Sequence, residues 1–313
     1  MSNLDTTPDV TLCHPASDQA VARLYTPRAV PLGGLRGIQV DRLMPQRALP
    51  TVGAWCFLDH FGPHEEPMRV LPHPHIGLQT VTWPLAGEIR HRDSVGSDVI
   101  VRPGQLNLMT AGRGVVHSEI SADSLLHGLQ LWVALPSSHA LVEPAFEQHV
   151  TLPRLVSSSL EATVLIGSLG DLTSPATAYT PLLGADLRVG GEATVPLRAS
   201  FEHAVLAVDS PLEVAGTAVP AGALLYLGTG RTDLSLRGSG RAFLLGGEPF
   251  PDDLVMWWNF VGRSHEEIVA ARTAWEASDT SRFGIVTGHG GDRIPAPGLP
   301  GVRLTPRRRH PNE

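Results

Sequence analysis

Short apolar runs interrupted by turn-forming residues dominate the chain between positions 33 and 150. Apolar and polar residues alternate in LQTVTWPLAGEIRHRDS and again in DVIVRPGQLNLMTAG, with turn signals at Leu85–Ala86–Gly87 and at Pro103–Gly104. Alternation with a period of two is typical of a β-strand that buries one face, and Gly and Pro mark the turns. The pattern predicts a meander of antiparallel strands in a β-sandwich or β-barrel.

A second block, residues 151–250, repeats this order of elements. The stretch HAVLAVDSPLEVAGTAVPAGALLYLGTG corresponds to QTVTWPLAGEIRHRDSVGSDVIVRPGQLNLMTAG. Both run strand, turn, strand and loop before Pro and Gly introduce an apolar strand. An internal repeat of this kind indicates duplication. We therefore predict an all-β protein with two antiparallel β-barrels of one kind, over residues 33–150 and 151–250.

The two ends of the chain depart from this pattern. Residues 1–32 are polar with scattered Pro, which predicts a loosely ordered arm. In the last part, residues 251–313, SHEEIVAARTAWEA predicts a short helix with Ser264 as N-cap and Glu267 completing a capping box. The tail beyond it is rich in Gly and Pro and ends in Arg307–Arg309, a cluster that is more typical of a solvated end than of a nucleic-acid contact.

The composition restricts the class of protein, its partners and its cellular compartment. With 42% hydrophobic and 18% charged residues, the 313-residue chain can bury a packed core. A net charge of −7 and a pI near 6.0 argue against direct nucleic-acid binding. The two cysteines, Cys13 and Cys56, predict no disulfide framework. No apolar stretch approaches the length of a membrane span, and no secretory signal is evident, so we expect a cytoplasmic protein without membrane contact.

Two pairs of metal-binding side chains lie inside the first block. LPHPHIGLQTVTW contains His73 and His75, and TAGRGVVHSEI contains His117 and Glu119. Residues two apart in a strand project to the same face, so each pair points one way, and both pairs can converge inside a barrel. Three imidazoles and one carboxylate suit a divalent transition metal and leave open coordination positions for O2 or a chelating substrate. Ligand type alone does not choose among Fe, Mn, Ni, Cu and Zn.

The sequence context of the other histidines gives weaker evidence for metal binding. A single His on a strand is more often a hydrogen-bonded residue than a ligand. His60 and His64, in FLDHFGPHEEP, are interpreted as structural residues or as partners that support the ligands. His91 and Asp93, in RHRDSVG, could line the cavity, but a turn-stabilising role is favoured. The second block has His203 without a His or Glu two positions away, so we predict a metal-free second barrel.

At the level of motifs the chain resembles the pirins, which belong to the bicupin branch of the cupin superfamily. The resemblance rests on FLDHFGP, HPHIGLQTVTW, HRDSVG, PGQLNLMTAGRGVVHSE and HGLQLWVALP, followed by GGEPF and NFVGRSHEEIVAAR. It implies two cupin barrels. It also implies one iron ion in the first barrel, held by His73, His75, His117 and Glu119. Pirins commonly have Arg and Glu where this chain has Ile76 and Gln79. Because Gln79 shares the parity of His75, we expect it to face the cavity and support the metal site as a neutral amide.

The resemblance implies two functions. The first is a quercetin 2,3-dioxygenase type of reaction, in which a phenolic or flavonol substrate and O2 meet at the metal and Glu119 takes the proton of the 3-hydroxyl. The alternative is a regulatory protein whose iron oxidation state controls binding to a transcription factor or a metabolic enzyme. A third interpretation, a cupin whose metal only stabilises the fold, is disfavoured by the intact set of four ligands.

Overall fold

The structure, a computed structural model, describes residues 11–13, 20–32, 38–122 and 125–305. Up to residue 150, the described residues form the strands β1 (Thr11–Cys13), β2 (Ala20–Tyr25), β3 (Arg28–Leu32), β4 (Ile38–Met44), β5 (Trp55–His64), β6 (Arg69–His75), β7 (Leu78–Ala86), β8 (Ile89–Asp93), β9 (Asp98–Val101), β10 (Leu106–Thr110), β11 (Val115–Ser121), β12 (Leu126–Ala134) and β13 (Ala145–His149). From residue 151 they form β14 (Arg154–Val156), β15 (Leu160–Leu169), β16 (Leu172–Thr173), β17 (Leu182–Pro196), β18 (Glu202–Ala207), β19 (Leu212–Val214), β20 (Thr217–Val219), β21 (Leu224–Gly228), β22 (Asp233–Gly247), β23 (Leu254–Trp257) and β24 (Phe260–Gly262), then the helices α1 (His265–Glu276) and α2 (Thr280–Phe283).

The first cupin is built from two antiparallel sheets. One has the strand order β13-β10-β7-β12-β5-β4-β3 and the other the order β6-β11-β8-β9. The predicted turn at Pro103–Gly104 is present, but β9 and β10 on its two sides belong to different sheets. The predicted cupin-type fold is confirmed, and its sheets form a jelly roll that is not closed into a barrel.

The second cupin repeats the topology of the first, as the sequence predicted. Its main sheet has the order β14-β15-β17-β22-β18-β21-β2. In this sheet β18 pairs with β21 and β22, as β7 pairs with β10 and β12 in the first cupin. The β19–β20 hairpin attaches to β22 as the β8–β9 hairpin attaches to β11. The duplicated all-β architecture is confirmed.

The N-terminal segment does not behave as a loosely ordered arm where the structure describes it. Strand β2 pairs with β21 at the edge of the second cupin's sheet, and β3 pairs with β4 in the first cupin. The arm thus crosses from one cupin to the other. An exposed sheet edge offers unpaired backbone groups to any extended segment, which a composition-based prediction does not register.

The C-terminal segment confirms the predicted helix. The Ser264 hydroxyl accepts a hydrogen bond from the backbone N–H of Glu267 at 3.2 Å, and the residues predicted to share one face are buried: Ile268, Ala271 and Trp275. The Arg307–Arg309 cluster and the side chain of Cys13 lie outside the described residues. Cys56 is a free, buried thiol whose pKa is raised by burial to about 12. Among the described helices, none combines the length and apolar character needed to cross a membrane.

The large sheets of the two cupins pack against each other. The indole N–H of Trp55 donates to the carbonyl oxygens of Leu183 and Gly246, each at 3.1 Å. The indole N–H of Trp83 donates to Asp186 at 3.1 Å. Because side chains alternate along a strand, the residues on the opposite face of β7 point into the first cupin. The side chains on this inner face are therefore free to take part in a functional site inside the first cupin.

Acid is expected to destabilise the protein partly through His203 in the second cupin. Its side chain is buried, and burial lowers its pKa from 6.5 to about 4. Between these values the unfolded chain binds a proton that the folded chain does not, so the free energy of unfolding falls as the pH drops from 6.5 to about 4. The shift corresponds to a loss on the order of 3 kcal/mol.

Urea denaturation at about pH 7 and about pH 4.5 measures this loss. The variant His203→Gln removes the titrating group but keeps a polar side chain of similar length, so it should lose less stability over this interval. Equal losses in the two proteins would contradict the assignment to His203.

Candidate metal centre

The two predicted pairs lie on neighbouring strands. His73 and His75 end β6, and His117 and Glu119 lie in β11, which pairs with β6 in antiparallel register. His117 is directly opposite His73, and the register shifts between His117 and Glu119. A small irregularity of this kind rotates the following side chain relative to a regular strand. Sheet pairing therefore brings together two segments that are about forty positions apart in the sequence.

The side chains form two overlapping groups in which one nitrogen or oxygen atom per residue lies within 4.8 Å of the others. The first group is His73, His75 and His117, and the second is His91, His117 and Glu119. His117 belongs to both groups. All five residues are buried. Through His117, the structure thus links the predicted ligands His73 and His75 to Glu119, and His91 lies in the group that contains Glu119.

The imidazole nitrogens of this cluster are available to an ion. Within the described part of the chain, the Nε2 atoms of His73, His75 and His117 are buried and have no hydrogen-bond partner. Buried polar atoms in folded proteins are nearly always paired, so three unpaired nitrogens in one place require an explanation. A bound transition-metal ion would explain them, because such an ion accepts the lone pairs of imidazole nitrogens. The residues fit a bound metal.

Backbone carbonyl groups fix two of the rings. The Nδ1 atom of His73 lies 2.8 Å from the carbonyl oxygen of Leu71, and Nδ1 of His75 lies 3.0 Å from that of Asn259. Since a carbonyl only accepts, each Nδ1 carries the proton and each Nε2 keeps its lone pair. Asn259 lies between β23 and β24, so the segment after the second cupin helps to orient a residue of the first.

The rings are also held in the uncharged form that metal binding needs. Burial lowers the pKa of His75 to about 3. Burial, together with neighbouring imidazoles, holds the pKa values of His73 and His117 well below their usual range. A charged imidazolium has no lone pair to give, so these shifts favour a ligand set that does not need to lose protons first.

His91 and Asp93 support the cluster from behind. The Nε2 atom of His91 lies 3.0 Å from Oδ2 of Asp93, and its Nδ1 lies 3.5 Å from Nδ1 of His117. The other carboxylate oxygen of Asp93 accepts hydrogen bonds from the backbone N–H groups of Val95 and Ser97. Asp93 thus both stabilises the turn, as the sequence favoured, and anchors a histidine chain that ends at His117.

Replacing Asp93 with Asn is expected to weaken metal binding by about 10- to 100-fold, because His91 would lose the carboxylate that orients it toward His117. The amide oxygen of Asn can still accept from Val95 and Ser97, so the turn should remain. Competition with a chelator of known affinity measures the change. Asp98→Asn, which breaks an exposed ion pair with Arg90, is the control and should leave the affinity unchanged. Equal affinity in Asp93→Asn and the unaltered protein would contradict the anchoring role.

Glu119 has partners that sequence reasoning missed. The Thr82 hydroxyl lies 2.9 Å from Oε1 of Glu119 and 3.1 Å from the amide oxygen of Gln130. A hydroxyl that donates to a carboxylate stabilises its charged form. The signal for Thr82 was present in QTVTW, where Thr alternates with the residues that face the second cupin, but the pairing that brings it to Glu119 is not visible in the sequence.

Comparison with known proteins identifies the fold family. Residues 37–133 match the model of the Pirin family, and residues 182–283 match the Pirin C-terminal cupin domain. The protein "Putative quercetin 2,3-dioxygenase PA1205" of Pseudomonas aeruginosa is 45% identical over 296 residues, which cover 91% of this chain and 93% of the relative. This chain belongs to the pirin family. A "Pirin-like protein" of Caulobacter vibrioides is 35% identical and covers 78% of this pirin and 90% of its own length.

A solved structure agrees with this assignment. The crystal structure of a protein named quercetin 2,3-dioxygenase from Acinetobacter baumannii superposes on this pirin with a TM-score of 0.86 at 38% identity. The superposition covers 91% of this pirin and 98% of the other chain. The bicupin architecture expected from the motifs is therefore shown by sequence and structure together.

Gln79 does not face the group of histidines and Glu119 in this pirin. This corrects the expectation based on its parity with His75. Its side-chain amide donates to the Thr110 hydroxyl at 3.0 Å and to the carbonyl oxygen of Thr177, in the second cupin, at 3.1 Å. Parity carries through only one continuous strand, and the chain leaves β6 at Gly77, which has a φ of +68°. The Gln79 amide thus binds the two cupins together.

Ile76 also lies away from the cluster. It is buried among apolar side chains of the C-terminal segment that include Trp257 and Phe260. Its carbonyl oxygen accepts from the N–H of Val261 at 3.2 Å. Ile76 and Gln79 thus contribute an apolar contact and a contact between the cupins, and neither belongs to the groups of converging side chains.

His60 does not support the ligands in the way that the sequence suggested. Its Nε2 lies 2.8 Å from Nε2 of His127, and burial with the neighbouring imidazole lowers its pKa to about 4. His60 is one position from Asp59, which pairs with Gln130 across the sheet, so alternation turns His60 to the face opposite Gln130. His64 lies at the end of β5, 3.9 Å from Glu66. Neither residue reaches the cluster.

Proposed function

We propose that this pirin is a metal-dependent dioxygenase that cleaves flavonols such as quercetin with O2. The observation that carries the proposal is the buried convergence of His73, His75 and His117, whose Nε2 atoms lack protein partners among the described residues, with Glu119 beside them. The names of the Pseudomonas and Acinetobacter relatives support the choice of reaction and substrate. We assign iron as the metal and the cytoplasm as the location.

The proposed ligands are His73, His75, His117 and Glu119. When bound there, iron would supply Lewis acidity and one-electron chemistry toward O2. The protein supplies orientation: carbonyl groups hold the first two rings, and the Asp93–His91 pair holds the third. Because the cluster is fully buried, it also keeps bulk water away from the reacting groups.

Glu119 is the proposed base for the 3-hydroxyl proton of the flavonol. A carboxylate can act as a general base when it reaches the proton that it removes. The Thr82 hydroxyl donates to Glu119 at 2.9 Å, and the amide oxygen of Gln130 lies 3.1 Å from the same hydroxyl. The hydrogen bond from Thr82 restricts the rotation of the carboxylate and favours its charged form.

O2 uptake by iron-loaded protein with quercetin tests the proposal directly. We expect consumption of O2 together with loss of the flavonol absorption band, and no reaction with metal-free protein. A flavonol whose 3-hydroxyl is methylated should not react, because it has no proton for Glu119 to take. Anaerobic addition of quercetin should change the spectrum of the iron-loaded protein.

No uptake in air and no spectral change without air would overturn catalysis on flavonols. In that case, capture of a transcription factor or metabolic enzyme that depends on added reductant would favour the regulatory alternative. Elemental analysis of protein purified from its native host decides whether iron or another divalent metal is loaded.

A further inference from the structure

A cavity of about 430 Å³ lies between the two cupins, on the face of β7 opposite the metal centre. Trp83 and Leu85 contribute from the first cupin, Leu152 from the connection, and Asp186, Arg188 and Arg241 from the second cupin. Its volume is within the range typical of small-molecule sites, about 300–1,000 Å³. Thr82, which contacts Glu119, and Trp83 are adjacent on β7, so the cavity and the metal centre share one strand.

Two arginines of this cavity oppose each other directly. Arg188 on β17 and Arg241 on β22 are partners in the antiparallel register of these strands. Like charges at directly opposed positions destabilise a sheet unless something neutralises them. Asp186 neutralises one of the two, since Arg241 Nε donates to its Oδ1 at 3.0 Å. The other oxygen of Asp186 accepts a hydrogen bond from Trp83, so both oxygens of this carboxylate have a partner in the protein.

Arg188 is exposed and near enough to Asp186 for its charge to favour the ionised carboxylate, but it forms no ion pair with it. Its other cross-strand neighbour is Glu161, but the Glu161 carboxylate is engaged by Arg154. No ion pair or side-chain hydrogen bond of Arg188 occurs within residues 11–13, 20–32, 38–122 and 125–305. The cavity thus contains three guanidinium groups and two carboxylates, and the Arg188 guanidinium presents donors that no described residue accepts.

We propose that this interdomain cavity binds a small molecule with a carboxylate group. A planar guanidinium matches a carboxylate through two parallel hydrogen bonds, which identifies Arg188 as the main contact and Arg241 as a second source of positive charge. Leu85, Leu152 and the ring of Trp83 provide an apolar wall for the rest of the ligand. A bound carboxylate would relieve the repulsion between the opposed arginines and connect the two cupins.

Thermal unfolding of the full-length protein, with benzoate as the probe, tests this site. At low ionic strength, benzoate should raise the unfolding midpoint in a saturable manner, and phosphate or chloride at matched ionic strength should have a smaller effect. In Arg188→Gln, the apparent affinity for benzoate should fall by at least about tenfold, because a charge-assisted pair is lost.

The same variant is also expected to change the stability of the anion-free protein, in the direction opposite to its loss of benzoate affinity. Without added anion, Arg188→Gln should unfold at the same temperature as the unaltered protein or at a higher one, because it removes one of two opposed charges. Arg237→Gln, which removes an exposed arginine paired with Glu192, is the matched control and should keep the full benzoate response. A benzoate response that survives in Arg188→Gln, or stabilisation by phosphate alone, would overturn the assignment of a carboxylate site.

Discussion

Replacing His117 with Ala is expected to abolish stable metal binding and all flavonol turnover. His117 is the residue shared by the two groups of converging side chains, so its loss leaves two imidazoles on one side and His91 with Glu119 on the other. A two-histidine remnant should bind a divalent metal at least roughly 100-fold more weakly than the full set. Elemental analysis after extensive dialysis should give about one metal per chain for the unaltered protein and close to none for the variant.

The control is His139→Ala, a substitution in the short 3-10 helix Ser137–His139 outside the cluster, which should keep both metal and activity. Circular dichroism should show the same β-rich spectrum for both variants, because the strands are held by backbone pairing. Full metal occupancy in a correctly folded His117→Ala protein would show that the ion binds elsewhere.

Replacing Glu119 with Gln is expected to separate metal binding from catalysis. The amide has nearly the same shape and can still accept from Thr82, and the three imidazoles should retain iron at saturating concentration. Removing a general base typically lowers a rate by about 10²- to 10⁴-fold, so kcat for quercetin should fall by that factor. Oxygen-electrode rates, expressed per bound iron, measure the effect independently of any loss of affinity.

Glu147→Gln is the matched control for this substitution. Glu147 is a partly buried carboxylate on β13 that pairs with His149 and lies outside both groups of converging side chains. It should retain kcat per bound iron. A Glu119→Gln protein with an unreduced rate per iron would remove Glu119 as the base, whereas a protein without iron at saturation would show that its main role is as a ligand.

Parity within single strands explains why the four candidate ligands could be chosen from the sequence. His73 and His75, like His117 and Glu119, lie within one strand each, where the period of two is a local property of the backbone. The same reasoning failed for Gln79, because Gly77 separates it from the strand of His75. It suggested His91 only as a residue that could line the cavity and missed Thr82, since the positions of both depend on how β8 and β7 pair with other strands.

By itself, the sequence determined the β-rich architecture, the duplication, the helix that starts after Ser264 and the two pairs of metal-binding side chains. Only the tertiary structure decided that the strands form open jelly rolls, that β2 joins the second cupin and that Asn259 holds His75. The physical reason is the range of the interactions. Alternation and capping are set by neighbours along the chain, whereas strand partners and register are set by burial and backbone pairing between distant segments.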